Sequence, residues 1–496
     1  MPNSAGLAAR LNLGTLFAAL ALAFLAWGSV FDLGLFAWDT YPLIDAGRFS
    51  NLEELGHSLS SELMGGRFPG GHYWRPLVHL SFGLDYALWG LEPLGYHVTD
   101  FAFTVLNATF VVILARKLLG EPRKGWAWFA GLVFLLHPVH FEVLALPPRR
   151  ADSMALAFTL LALVLALGKP GQRSIGAALA ALAAVASKET GALAPLLVFS
   201  FVALCSQGTR SARLVAGLRS AWIPFALVGL FLAARSAVVD GIGGGAKAGL
   251  PAGGDIVQAG LRYSKLLLAP LPPSWFPEGE FGVTLGLVLV AILGVGLWRV
   301  QPGSVAESTA VSPRAAAGAL AIWGAVLVAL TAGSGVYRAW YALPLAAPLA
   351  LFLALALSVR RLPGGGGSFR VFGATLILLV LQGWVSDSQP RWDELGAQSV
   401  AADKFVLHFD DVVTSLEPGS TAELAAAPPP GSARRHGEDT KRPLIFREYS
   451  LEAYSALVHP GLKLRVEVKN EGQSQSPEQD EILVLLLSKH PEGLER

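Results

Sequence analysis

Apolar residues run along this chain in long unbroken blocks rather than in alternation or on one helical face. Blocks near 13–31, 98–116, 126–137, 153–168, 175–187, 190–206, 221–238, 283–299, 316–333, 342–358 and 371–387 predict about eleven helices able to cross a hydrocarbon core of roughly 30 Å. The block at 126–137 is short and reads as a helix that tilts or extends into 124–125. The first block has the position of a signal peptide, but only Arg10 precedes it and its apolar run is long. It reads as an uncleaved helix.

The short loops between the blocks differ in charge. Arg10; Arg116, Lys117, Arg123 and Lys124; Lys169 and Arg173; Arg210, Arg213 and Arg219; Arg299 and Arg314; and Arg360, Arg361 and Arg370 fall in alternate loops. Cytoplasmic loops carry the excess of Lys and Arg. The N-terminus is therefore expected inside and the tail after about 388 outside. The opposite face has two long loops, 32–97 and 239–282, and three tight hairpins at 137–152, 187–189 and 333–341.

Composition agrees with this reading. Apolar residues make up 53% of the 496 positions and charged residues only 15%, and mean hydropathy is +0.50. A soluble domain carries about 25% charge, so a soluble enzyme, a disordered chain and a coiled coil are excluded. A net charge of +1 gives no reason to expect nucleic acid as a partner. The single cysteine, Cys205, cannot close an intrachain disulfide. The expected class is an all-α polytopic membrane protein, 1–387, followed by a small α+β extracytoplasmic domain, 388–496. In that tail 392–416 reads as an amphipathic helix, 424–442 as a disordered linker, and 462–468 and 482–487 as strands. High Ala and Gly usage suggests a bacterium, with the outer face periplasmic.

The predicted topology gathers charged and aromatic residues on the outer face. Asp39 follows the first helix. Tyr73 and Arg75 lie in the first long loop. His137, His140 and Glu142 end the third span, and Arg149, Arg150 and Asp152 open the fourth. Lys188 and Glu189 form the next hairpin. Arg262 lies in the second long loop and Arg338 in the last hairpin. Charge near membrane level is costly and commonly functional. One carboxylate among several cations suits a reaction on a phosphorylated lipid. The cations hold the phosphate and stabilise it as it leaves, and the carboxylate takes a proton from an attacking hydroxyl.

Plainer readings stand beside these. Asp39 has the character of a turn or helix-cap residue. Arg75, before Pro76, starts a helix over 77–89 that reads as lying on the membrane, where its side chain snorkels or meets a phosphate. His137, His140, Glu142 and Asp152 form either a hydrogen-bonded loop motif or a weak metal-ligand set. Arg150 could pair with Asp152, and Lys188 with Glu189, for stability alone.

Several stretches resemble TMTC-type protein O-mannosyltransferases and their bacterial relatives among the GT-C membrane glycosyltransferases. They are Tyr73-Trp74-Arg75-Pro76-Leu77, Leu84-Asp85-Tyr86 through Trp89-Gly90, Pro93-Leu94-Gly95-Tyr96-His97, His137-Pro138-Val139-His140-Phe141-Glu142, Arg150-Ala151-Asp152 and Ser187-Lys188-Glu189-Thr190-Gly191. The resemblance covers about 30–387. It implies a GT-C fold, a polyprenyl-phosphate-linked sugar as donor, mannose-like hexoses included, and inverting transfer to an acceptor hydroxyl on a protein, lipid or glycan. It implies Asp39 as base, with Tyr73, Arg75, His140, Glu142, Arg150, Asp152, Lys188, Glu189, Arg262 and Arg338 as substrate-binding residues. It leaves a divalent cation open, since some branches use one and others do not. Thr40 stands where the family often has a second Asp, Arg149 where it has Gly, and no repeat of about 34 residues follows. Two other classes fit the composition: a transporter or flippase for a lipid-linked glycan, and a membrane scaffold with a degenerate enzyme core.

Overall fold

The computed structural model describes residues 13–67, 72–120, 123–168, 173–239, 253–268, 311–334, 338–359, scattered positions of 373–385, 389–414, 421–426, 448–460, 463–467 and 484–487. Helices dominate them. α1 (Leu13–Trp27) leads through a 3-10 turn at Gly28–Asp32 into the first long loop. This loop folds into three short helices, α2 (Thr40–Gly47), α3 (Leu52–Ser60) and α4 (Pro76–Trp89). The main helical body follows: α5 (Pro93–Leu119), α6 (Lys124–Leu135), α7 (Phe141–Leu144), α8 (Arg150–Ala166), α9 (Arg173–Ser187), α10 (Ala194–Cys205), α11 (Arg210–Val238), α12 (Gly253–Leu268), α13 (Pro313–Ser334) and α14 (Leu343–Val359).

Among the described residues four helical segments are long and apolar enough to cross a membrane: α5, α11, α13 and Ala339–Ser358. Lys124–Leu135 and Pro138–Leu144, bent by 42° at the break, make a fifth if they form one span. Phe17–Asp32, Ile175–Ser187 and Glu189–Cys205 are apolar but shorter. The expected count of eleven is thus not reached among the described residues. The block at 283–299 lies outside them and 371–387 partly so. Pro138 breaks regular hydrogen bonding between Lys124–Leu135 and Phe141–Leu144, and a 3-10 turn opens Glu189–Cys205.

Local chemistry sets the helix ends. Pro76 and Pro93 open α4 and α5 at positions whose N–H would lack a helical partner. Asn51 caps α3, accepting from the Glu54 N–H at 2.8 Å, while Glu54 binds back to the Asn51 amide at 3.0 Å. α2 crosses α4 at two glycines: a Cβ on Gly83 would sit 2.2 Å from the Gly47 carbonyl.

The tail contributes α15 (Gln389–Thr414) and α16 (Glu448–Val458). It also holds three short strands, β1 (Thr421–Ala426), β2 (Lys463–Glu467) and β3 (Val484–Leu487). They form a sheet in the order β2-β1-β3, with β1 parallel to β2 and antiparallel to β3. These strands alone do not make the expected α+β domain. Residues 427–442 of the expected linker lie outside the described residues, and 424–426 belong to β1.

Packing divides by position. One apolar core joins α1, α5, α6, α8–α11, α13 and α14 through residues such as Phe134, Leu160, Phe201 and Trp323. A second joins α2, α4 and the starts of α5 and α8 to the tail, through Tyr41, Ile44, Phe82, Tyr96, Met154, Phe409 and Tyr454. In a third, Trp392 and Leu395 of α15 cover Trp27, Phe36 and Phe141, with the Phe141 and Trp392 rings 4.8 Å apart. The tail helices therefore close over the first long loop and the 137–152 hairpin.

Candidate active site

Asp39 occupies the N-cap position of α2, yet its side chain makes no capping hydrogen bond. Its Oδ1 accepts from the Tyr449 hydroxyl at 2.9 Å. Ser450 donates to the Trp38 carbonyl. Ala37, two residues earlier, has φ +85°, a left-handed conformation that is uncommon for a residue with a Cβ. The neighbouring Thr40 is fully buried and donates to the Phe36 carbonyl at 2.6 Å. That hydroxyl closes the loop on itself.

Opposite Asp39 stands the 137–152 hairpin. Arg149 donates to the Glu142 carbonyl and lies 3.5 Å from its carboxylate, with its guanidinium 4.0 Å from the centre of the Trp340 ring. Arg338 approaches the same ring at 5.8 Å. Burial pulls Arg149 down to about 10; Glu142, Asp152 and Asp39 oppose this through their charge, and Arg338 adds to it. Asp39 and Arg338 thus both act on the charge of Arg149. Glu142 also binds Arg391 of α15 at 3.3 Å.

Two further ion pairs complete the cluster. Arg75 grips Glu189 through Nε, 3.2 Å from each carboxylate oxygen, and through Nη2 at 2.7 Å, and its guanidinium packs over Tyr73 at 4.7 Å. Burial works against the Arg75 charge, but the Glu189 carboxylate more than offsets it and holds Arg75 above its ordinary range. Lys188 lies 2.6 Å from both oxygens of Asp152 and 4.3 Å from the centre of the Tyr341 ring. Burial pulls Lys188 below its ordinary value despite Asp152. The sequence neighbours do not pair with each other. Arg150 and Asp152 are two apart on one helix and face different ways, and the 187–189 turn points Lys188 and Glu189 at different loops.

Arg150 stands apart from this cluster. It is 1% exposed and lies between Asp85 at 2.6 Å and Asp100 at 2.5 Å. It also donates to Ser81 at 2.9 Å and to the Tyr96 carbonyl at 3.0 Å, and packs over Phe82 at 4.5 Å. Sequence reading passed over Asp100. A carboxylate inside the apolar block at 98–116 was the available signal. Tyr449 had none, since 410 residues separate it from Asp39.

His140 is buried. Its Nε2 lies 2.9 Å from the Phe134 carbonyl and its ring sits against Phe134 and Trp27. His137 accepts from the Val139 N–H through Nδ1, which leaves Nε2–H to donate to the Leu267 carbonyl at 3.3 Å. Both rings are turned to backbone. Among the described residues no three His, Cys, Asp or Glu side chains come together as a metal-ligand set. Arg262 lies on an exposed face of α12.

The 187–189 turn tolerates only glycine at its far end. A Cβ on Gly191 would lie 2.1 Å from the Ala184 carbonyl carbon. Gly191→Ala is expected to force the turn open, lower stability by about 3 kcal/mol and separate Lys188 from Asp152. A fall in thermal midpoint in detergent, relative to Gly324→Ala in α13, checks it; nothing stands within 4 Å of a Cβ there.

No family model matches the chain. Among curated proteins it resembles protein O-mannosyl-transferase Tmtc1 of Drosophila melanogaster, 30% identical over 203 residues, which are 40% of this chain and 23% of that protein. It is 37% identical to TMTC2 of Mus musculus and of Homo sapiens over 91 residues, 18% of this chain and 11% of each relative. The chain thus matches less than a quarter of the length of these relatives. Among solved structures, ArnT from Cupriavidus metallidurans bound to undecaprenyl phosphate aligns over 90% of this chain and 89% of its own, at 12% identity and a TM-score of 0.48.

Proposed function

We propose that the protein is an integral-membrane glycosyltransferase of the GT-C type that moves a sugar from a polyprenyl-phosphate donor to an acceptor hydroxyl. The observation that carries the proposal is a set of cations from separate hairpins, Arg149 and Arg338 on the Trp340 ring and Arg75 and Lys188 paired with Glu189 and Asp152, with Asp39 close enough to Arg149 to act on its charge. The resemblance to O-mannosyltransferases supports it.

Asp39 takes the proton of the acceptor hydroxyl as its oxygen attacks the anomeric carbon. The bond from that carbon to the phosphate oxygen breaks, and polyprenyl phosphate leaves with the electron pair. The configuration inverts. Arg75, Lys188, Arg149 and Arg338 receive the phosphate, whose charge competes with the carboxylates that now pair with them. Tyr73, Trp340 and Tyr341 back those cations. Arg150 and His140 act as framework rather than as ligands. The proposal places the N-terminus in the cytoplasm, the site and the tail on the outer face, and the protein in a bacterial inner membrane. The C-terminal region, 388–496, is read as a domain that leans on the site.

The test is release of polyprenyl phosphate from polyprenyl-phosphate mannose and other hexoses by purified protein, with and without a chelator. Turnover above a no-enzyme control supports the reading, and the chelator lane reports any need for a cation. Absence of release from every donor, with acceptor peptides, lipids and glycans supplied, overturns it in favour of a transporter or a scaffold.

A further inference from the structure

We infer that Tyr449, carried by the C-terminal tail, is a positioning residue for the Asp39 carboxylate, so that the tail completes the site rather than merely following it. This rests on the reading of Asp39 as base. The tail reaches the loop around Asp39 at adjacent residues and elsewhere. Tyr449 donates to Asp39 Oδ1 at 2.9 Å and Ser450 to the Trp38 carbonyl. Ser399 of α15 accepts from the Gly34 N–H at 2.6 Å. α16 is held in turn by Tyr454, which donates to Asp410 at 2.7 Å and packs edge-on against Tyr41 at 4.9 Å, and by His459, 2.9 Å from Asp410. Tyr449 is 8% exposed, so its hydroxyl is presented from a fixed, packed base.

A carboxylate that acts as base needs one oxygen turned to the acceptor and a reason to stay ionised. A hydroxyl donated to the other oxygen supplies both: it fixes rotation of the carboxylate and favours its charged form. Arg149 from the hairpin, itself drawn to Glu142, also acts on Asp39 through its charge. Asp403 and Asp410 of α15 lie near Tyr41 and raise its pKa, after burial. Arg149 favours ionisation of Asp39 through its charge, and the Tyr449 hydroxyl both favours ionisation and fixes one oxygen.

The experiment uses the full chain with Tyr449→Phe and Ser450→Ala, and polyprenyl-phosphate mannose as donor. Tyr449→Phe keeps the ring and removes the donor. It is expected to lower kcat about tenfold, less than the 10²–10⁴ attributed to a base itself, with KM for the donor unchanged. Removing a bond to the charged form raises the carboxyl pKa, so the acid limb of the kcat profile should move up by roughly one pH unit. Ser450→Ala, which loosens the same helix without touching the carboxylate, should leave that limb in place. Titration of the Asp39 carboxyl by infrared difference against Asp39→Asn reads the same shift without turnover. An unmoved limb and titration in Tyr449→Phe, or an equal shift in Ser450→Ala, overturns the inference while leaving the transferase reading intact. A titration shift between wild type and Tyr449→Phe, with a wild type that releases nothing from any donor, keeps the contact and overturns the transferase reading instead.

Discussion

Asp39→Asn should reduce sugar transfer by about 10²–10⁴-fold, the range a positioned general base contributes, and leave the protein folded and able to bind donor. The amide oxygen can still accept from Tyr449, and the side chain makes no helix-capping bond that would be lost. The change is therefore close to a pure deletion of basicity. Single-turnover release from polyprenyl-phosphate mannose, paired with equilibrium binding of the same donor, separates the two effects. Loss of kcat with binding preserved is the expected pattern. Wild-type rates in Asp39→Asn would pass the role of base to Glu142, which faces the same hairpin cations, or to Asp152, which is held by Lys188.

The largest effect on stability is expected at Arg150. Arg150→Met keeps most of the volume and removes the charge, leaving Asp85 and Asp100 buried side by side at 4% and 3% exposure. Breaking a buried ion cluster by removing one member costs about 3–5 kcal/mol, a large share of the roughly 5–15 kcal/mol that holds an ordinary domain together. The yield of monodisperse protein in detergent should collapse. Adding Asp85→Asn and Asp100→Asn to Arg150→Met should recover much of it, because neutral amides are far less costly to bury than unpaired carboxylates. Equal yields for Arg150→Met and wild type would show that the cluster bears no weight.

Reading the sequence located the gathering of charge but not its pairing. The motif residues Arg75, Asp152, Lys188 and Glu189 do come together, because hairpins at one end of a helix bundle have little choice of neighbours. Which carboxylate takes which cation is set by helix rotation and by turn geometry of a residue or two, and no spacing in the chain encodes that. Pro76 marked the start of α4 because proline has a fixed local preference. Asp39 does stand at the N-cap of α2, as a cap residue would, but its side chain turns instead to Tyr449, to which nothing local points. Thr40, which nothing in the sequence marks as structural, turns out to be a buried donor to its own loop. The span count was legible only in part: among the described residues Phe17–Asp32, Ile175–Ser187 and Glu189–Cys205 fall short of a full crossing.

The enclosure of Arg150 also bears on how the chain is made. Asp85 and Asp100 leave the ribosome first, and Arg150 follows Asp100 by 50 residues. At about 5–20 residues per second that interval is roughly 3–10 s. During it two carboxylates that end in a dry interior lack Arg150, so α4 is expected to settle against α5 in its final place only later. The first long loop therefore stays open until the fourth apolar block begins to emerge, and a nascent chain stalled before residue 150 should expose α4 to added protease while a chain stalled beyond α8 protects it.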